Sequence, residues 1–154
     1  MLKSRTVRQR ETGSVSHTLP DSMHPVIRCI LLARNITDEK SLDLKLARLL
    51  PPTQLSGIDH AAEILADAVV SGKRILIVGD FDADGATGTA LAVRALNLMA
   101  ASHVDFRVPN RFEFGYGLSV ALVETLADDP PDVLVTVDSG ISSNDGVARA
   151  LEMG

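Results

Sequence analysis

Residues 74–91 read RILIVGDFDADGATGTAL, and their reading decides the fold. Ile75–Val78 form an unbroken apolar run, the mark of a short strand covered on both faces. Small helix formers then fill 85–102, GATGTALAVRALNLMAAS. A buried strand leads directly into a helix. The pattern repeats downstream: VDFRVPN (104–110) reads as a second strand and SVALVETLADD (119–129) as a helix with Ser119 as N-cap. DVLVTVDSG (132–140) is a third buried strand, and SNDGVARALEMG (143–154) opens a further helix. Strands alternating with helices predict an α/β fold: a parallel sheet with helical crossovers, Rossmann-like in kind.

Upstream the periodicity is helical. SMHPVIRCILLARN (22–35) predicts a short helix with Pro25 near its start. TDEKSLDLKLARLL (37–50) predicts a second, capped by Thr37 or Asp38 and stopped by Pro51 and Pro52. LSGIDHAAEILADAVVSGK (55–73) predicts an amphipathic helix with Gly72 at its C-terminus. The expected organisation is therefore a basic, flexible arm over 1–21, N-terminal helices over 22–73, and an α/β domain over 74–154. No internal repeat or low-complexity segment interrupts it.

Parallel strands place their carboxyl ends on one edge, where open α/β sheets bind ligands. Asp80, Asp82 and Asp84 follow the first strand, Asn110 and Arg111 the second, and Asp138, Ser139 and Gly140 the third. Three alternating carboxylates repel one another unless a cation lies among them. A calcium loop of the EF-hand type starts D-x-D-x-D-G, but its twelfth position here is Leu91 instead of a bidentate Glu, and a strand precedes it instead of a helix. A dinucleotide turn would need a fuller glycine pattern and fewer acids. The D-x-D-x-T string of aspartyl-phosphate phosphatases fits neither Asp82 nor Asp84. A hard divalent-cation site is the reading that remains, with Asp138 as a further ligand. Two such ions can activate water and stabilise the leaving oxygen of a phosphate ester. The competing structural role is helix capping, for which Asp84 before Gly85 is the natural candidate. Arg111 pairs well with phosphate. The loop RFEFGYGLS (111–119) turns at Gly115 and Gly117 and offers Tyr116 or Phe114 to a base or phosphate.

Composition bounds the rest. The 154 residues are 45% hydrophobic but only 3% aromatic, with no Trp. The core must be built from aliphatic side chains. The single cysteine, Cys29, excludes an intramolecular disulfide and reads as a small buried residue. The net charge of −5 hides an asymmetry: residues 1–34 carry six Lys or Arg against two acids, and the remainder is strongly acidic. A basic arm on an acidic body can help hold a phosphate backbone only alongside bound cations or a local basic groove. No run approaches the roughly 20 apolar residues of a membrane span, and no secretory leader is evident. A cytoplasmic protein without a membrane partner is expected.

At VGDFDADGATGTAL, VPNRFEFGYGLS and VTVDSGIS the sequence resembles three consecutive motifs of the DHH phosphoesterase superfamily. With LSGIDHAAEIL upstream, it resembles most closely the branch that degrades single-stranded DNA from 5′ to 3′. The resemblance implies a Mn²⁺- or Mg²⁺-dependent hydrolase, with two ions in the intact protein, active in recombination and repair. It implies Asp82 and Asp84 as metal ligands, Asp80 as the leading acid, and Asp138 as the residue touching both ions. Arg111, Gly115, Tyr116, Gly117, Ser139 and Gly140 are then the residues expected against substrate. The superfamily's Asp-His-His string is absent from the 154 residues. The chain is accordingly expected to be the first part of a longer protein and inactive in isolation. Two alternatives stand beside the exonuclease: a DHH phosphoesterase for short oligonucleotides or cyclic dinucleotides, and a non-catalytic replication scaffold of the same fold.

Overall fold

The computed structural model describes residues 15–154; most of the basic arm lies outside the described residues. The chain divides into two compact units, Met1–Gln54 and Leu55–Gly154.

The first unit contains helix α1 (Pro25–Leu32) and three short 3-10 turns, Glu39–Leu42, Leu46–Arg48 and Pro52–Gln54. Pro25 begins α1, and His24 Nδ1 accepts the Val26 N–H at 3.3 Å. No residue of α1 is buried, and Cys29 is exposed instead of packed in a core. The helix expected over 37–50 does not form. Asp38 caps the first short turn, accepting the Ser41 N–H at 2.8 Å, but Asp43 then accepts the Lys45 N–H at 3.3 Å. Short acidic side chains that bond their own backbone compete with an α-helical ladder. Asp43 leaves the helical region at φ −80°, ψ 100°, and the segment breaks into separate turns.

The second unit holds the sheet. Helix α2 (Ile58–Val70) is followed by β1 (Arg74–Val78), α3 (Ala83–Leu98), β2 (His103–Arg107), the single turn α4 (Arg111–Phe114), α5 (Val120–Glu124), β3 (Val133–Thr136) and α6 (Asn144–Glu152). The sheet order is β2-β1-β3, with β2 and β3 both parallel to β1. Ile75 pairs with Val104 on one side and Val133 on the other. β1 is therefore central, as its continuous apolar run predicts.

Side chains of a strand alternate between faces, and β1 feeds two cores. Ile75 and Ile77 pack with Ala68 of α2 and Leu96 of α3. Leu76 and Val78 pack on the other face with Leu118, Leu122, Val123 and Leu126, against which Ala150 and Met153 also rest. Leu65 and Val69 of α2 join the first of these cores. Ser119 caps α5 as expected, accepting the Leu122 N–H at 3.2 Å.

Both long helices end in the same motif. After α2, Gly72 N–H bonds Val69 C=O and Lys73 N–H bonds Ala68 C=O. After α3, Ala100 N–H bonds Asn97 C=O and Ala101 N–H bonds Leu96 C=O. These are Schellman caps, which place a left-handed residue just past the helix. Gly72 takes that position at φ 65°, and Ala100 takes it at φ 64°.

Candidate active site

The chain crosses from one side of β1 to the other between β2 and β3. The crevice between the carboxyl ends of β1 and β3 is thus the point where strand order reverses, the usual ligand position in open α/β sheets. Asp80 and Asp82 enter it from β1, and Asp138 enters it from β3.

Asp80 lies two residues beyond β1 and is only 3% exposed. Gly85 makes that burial possible, because a Cβ there would meet the Asp80 carbonyl oxygen at 2.6 Å and its Cβ at 2.7 Å. Asp80 Oδ1 accepts the Phe81 N–H at 2.8 Å and Arg111 Nε at 3.3 Å, while Oδ2 accepts from Arg111 Nη2. The hydrogen bond from Arg111 holds the Asp80 carboxyl below its usual range despite burial, and the Arg111 guanidinium is pushed up in turn.

Asp82 is the N-cap of α3, its Oδ1 accepting the Gly85 N–H at 3.3 Å. The capping role considered for Asp84 is filled by Asp82, and Asp84 lies in the first helical turn, exposed. Asp138 is exposed and sits in the left-handed region at φ 64°. Aspartate tolerates this conformation better than most residues, and such backbone concentrates at functional sites. One carboxylate oxygen each from Asp80, Asp82 and Asp138 lie within 4.8 Å of one another. Asp84 is not part of that group. Hard oxygen donors at this spacing suit Mg²⁺ or Mn²⁺.

Arg111 opens α4 at the end of β2. Asn110 caps this turn, accepting the Phe112 N–H at 3.0 Å. The guanidinium lies 4.0 Å from the Phe81 ring centroid and 5.0 Å from that of Tyr116, and Nη2 is 3.7 Å from Asp82 Oδ2. It therefore lies close to two rings and two carboxylates.

The loop after α4 is tied to the loop after β3. Tyr116 OH donates to the Asp138 carbonyl at 3.0 Å, and Leu118 N–H donates to Ser143 Oγ at 3.1 Å. Gly117 is buried at φ 73°, and a Cβ there would meet Ser143 Oγ at 2.9 Å and Ser139 Cβ at 3.6 Å. Gly115 (φ 76°) turns the chain before it, and Gly140 (φ 113°) turns the chain after Asp138. Ser139 Oγ is buried with no hydrogen-bond partner among the described residues. Of the two aromatics offered by this loop, Phe114 packs against the second core. Tyr116 is exposed, as are Phe81 and Phe112.

The residues of 74–154 match the family model for the DHH family, N-terminal domain. The chain belongs to the DHH family. It is 43% identical over 154 residues to the single-stranded-DNA-specific exonuclease RecJ of Salmonella typhimurium, covering 100% of this chain and 26% of that protein. To RecJ of Haemophilus influenzae it is 49% identical over 133 residues, 86% of this chain and 23% of the relative. The chain thus spans about a quarter of the length of the curated relatives it matches. Among solved structures it is similar to exonuclease RecJ bound to manganese, with a TM-score of 0.60 at 39% identity over 68% of this chain and 26% of that one. It is also similar to RecJ in complex with Mn²⁺ from Thermus thermophilus, with a TM-score of 0.55 at 34% identity over 79% of this chain and 16% of that one.

This DHH-family fold brings Asp80, Asp82, Asp138, Arg111 and Tyr116 together at one sheet edge. Phe81 and the pairing of Arg111 with Asp80 were not evident from the sequence. The spacing of DFD hides them, because an exposed ring between two acids reads as a surface residue until the end of β2 is placed beside it.

Proposed function

We propose that this chain supplies part of the metal- and phosphate-binding face of a 5′-to-3′ single-stranded-DNA exonuclease of the DHH family. The carrying observation is the convergence of three carboxylates with an aromatic-stacked guanidinium at the strand-order reversal. Asp82 and Asp138 are the proposed metal ligands, and Asp84 is the acid available to a second ion. Mn²⁺ or Mg²⁺ bound there would neutralise phosphate charge and lower the pKa of a water nucleophile. Arg111 keeps donors free beyond those used on Asp80, and its side chain is 36% exposed. It is placed to take a phosphate oxygen. Exposed Phe81, Phe112 and Tyr116 offer stacking faces to unpaired bases without demanding a sequence. The names of the relatives support single-stranded DNA as the substrate, and the reading takes with it a cytoplasmic enzyme of DNA repair or recombination.

The test is degradation of a 5′-labelled single strand in the presence of Mn²⁺. The full-length protein containing this sequence is expected to shorten the strand, and Asp138→Ala in that protein to abolish turnover while preserving the fold. The 154-residue chain by itself is expected to be inactive. Retained turnover in Asp138→Ala, or preference for a dinucleotide over a long single strand, would contradict the reading.

A further inference from the structure

The three clustered carboxylates are not equivalent, and their hydrogen bonds divide them. A carboxylate offers about four lone-pair sites. Asp80 has three engaged: Oδ1 accepts from Phe81 N–H and Arg111 Nε, and Oδ2 from Arg111 Nη2. It is also 3% exposed. Asp82 accepts one backbone N–H at 3.3 Å, and its side chain is 48% exposed. Asp138 is exposed, with its backbone carbonyl, not its carboxylate, bonded to Tyr116.

We infer that Asp80 serves Arg111 and not the ion. It is a positioning residue that fixes the guanidinium against Phe81 and Tyr116, and the pair persists when a divalent cation is bound by Asp82 and Asp138. Two further features carry this. The pairing is two-pronged, through Nε and Nη2, which fixes the plane of the guanidinium as well as its charge. The guanidinium carbon also lies 4.0 Å from the Phe81 ring centroid and 5.0 Å from that of Tyr116, and the bonds to Asp80 use Nε and Nη2, not Nη1. The rival arrangement makes Arg111 a placeholder that leaves Asp80 when the cation arrives. That would require breaking a buried two-pronged ion pair and leaving the guanidinium its aromatic contacts and the looser approach of Nη2 to Asp82 Oδ2 at 3.7 Å.

The inference rests on the metal reading above, and the experiment separates the two. Mn²⁺ uptake is measured by the electron paramagnetic resonance of the free ion for the unaltered chain, Asp80→Asn, Asp82→Asn and Asp138→Asn. The Arg111 Nε–H signal is followed by ¹⁵N NMR with and without saturating Mg²⁺. Asp82→Asn and Asp138→Asn are each expected to weaken Mn²⁺ binding about tenfold or more, since affinity follows ligand charge count. Asp80→Asn is expected to change it by less than about threefold, well under one tenfold step of affinity, while abolishing the shifted Arg111 Nε–H signal. That signal is expected to stay in place when Mg²⁺ binds the unaltered chain, a reading that needs no variant and stands if Asp80→Asn does not fold. Equal losses of Mn²⁺ affinity in Asp80→Asn and Asp82→Asn, or movement of the Arg111 signal on adding Mg²⁺, overturn the inference. Failure of the unaltered chain to take up Mn²⁺ overturns the metal reading instead, and is told apart because the Arg111 signal still depends on Asp80.

Discussion

Ala100 and Asp138, the non-glycine residues of the second unit with positive φ, occupy the left-handed region for opposite reasons. Ala100 is there because a Schellman cap requires it, with nothing gained from the side chain. A Cβ in that conformation costs on the order of 1 kcal/mol that glycine does not incur. Ala100→Gly is therefore expected to stabilise the second unit by about 1 kcal/mol in urea unfolding, and an unchanged midpoint would show that the cap relaxes. Asp138, by contrast, stands at φ 64° at the mouth of the crevice, where its carboxylate meets those of Asp80 and Asp82. Its strained backbone is held by Tyr116 through the carbonyl hydrogen bond. The acids themselves were legible in the sequence, because alternation at a strand end needs a cation to explain it. Their division of roles was not. Whether Asp82 or Asp84 caps α3 depends on the residue at which the strand gives way to the helix, and spacing alone leaves that open.

At the scale of elements, α6 is anchored at two points, and each can be probed. Gly146 is buried, and a Cβ there would collide with the Leu118 carbonyl, whose carbon lies 2.8 Å away. Backbone cannot yield as a flexible side chain does. Gly146→Ala is expected to cost about 2 kcal/mol, within the range of overpacked cores, measured as a lowered unfolding midpoint; full stability would mean that α6 shifts freely. The second anchor is Arg149, whose Nε donates to Glu124 Oε1 at 2.6 Å, joining α6 to α5. That hydrogen bond holds the Glu124 carboxyl below its usual range. A depressed carboxyl contributes stability above its unfolded value, roughly 4.3 for Glu, and loses it as pH falls through the lower folded value. The stability gap between the unaltered chain and Arg149→Ala should therefore be present at pH 7 and shrink in acid below that range. A gap independent of pH would remove the ion pair from the account. The strands and the longer helices were readable from periodicity, since β1 is apolar on both faces and α2 is apolar on one. The segment 37–50 was not. Its leucines recur at helical spacing and Asp38 caps its first turn, yet Asp43 bonds the local backbone, and Leu44, Leu46, Leu49 and Leu50 remain exposed.

On the scale of the whole molecule, the candidate site lies in the second unit. Three parallel strands deliver their carboxyl ends to one edge, and loops from all three meet there. β2 and β3 are the outer strands of the described sheet. Between α2 and α3 lies an apolar groove of about 480 Å³ lined by Leu65, Val69, Leu96 and Val135, among others. We propose that this edge binds a divalent cation through Asp138 and its neighbours. The chain carries its own reporter, because Tyr116 is its single tyrosine, there is no tryptophan, and its hydroxyl bonds the Asp138 carbonyl. The measurement is tyrosine fluorescence during a Mn²⁺ titration of the unaltered chain and of Asp138→Asn, with circular dichroism to establish that both are folded. Saturable quenching in the unaltered chain, lost in Asp138→Asn at unchanged secondary structure, is the predicted result. Quenching that never saturates, or that is the same in both chains, would contradict the assignment of this edge as the metal site.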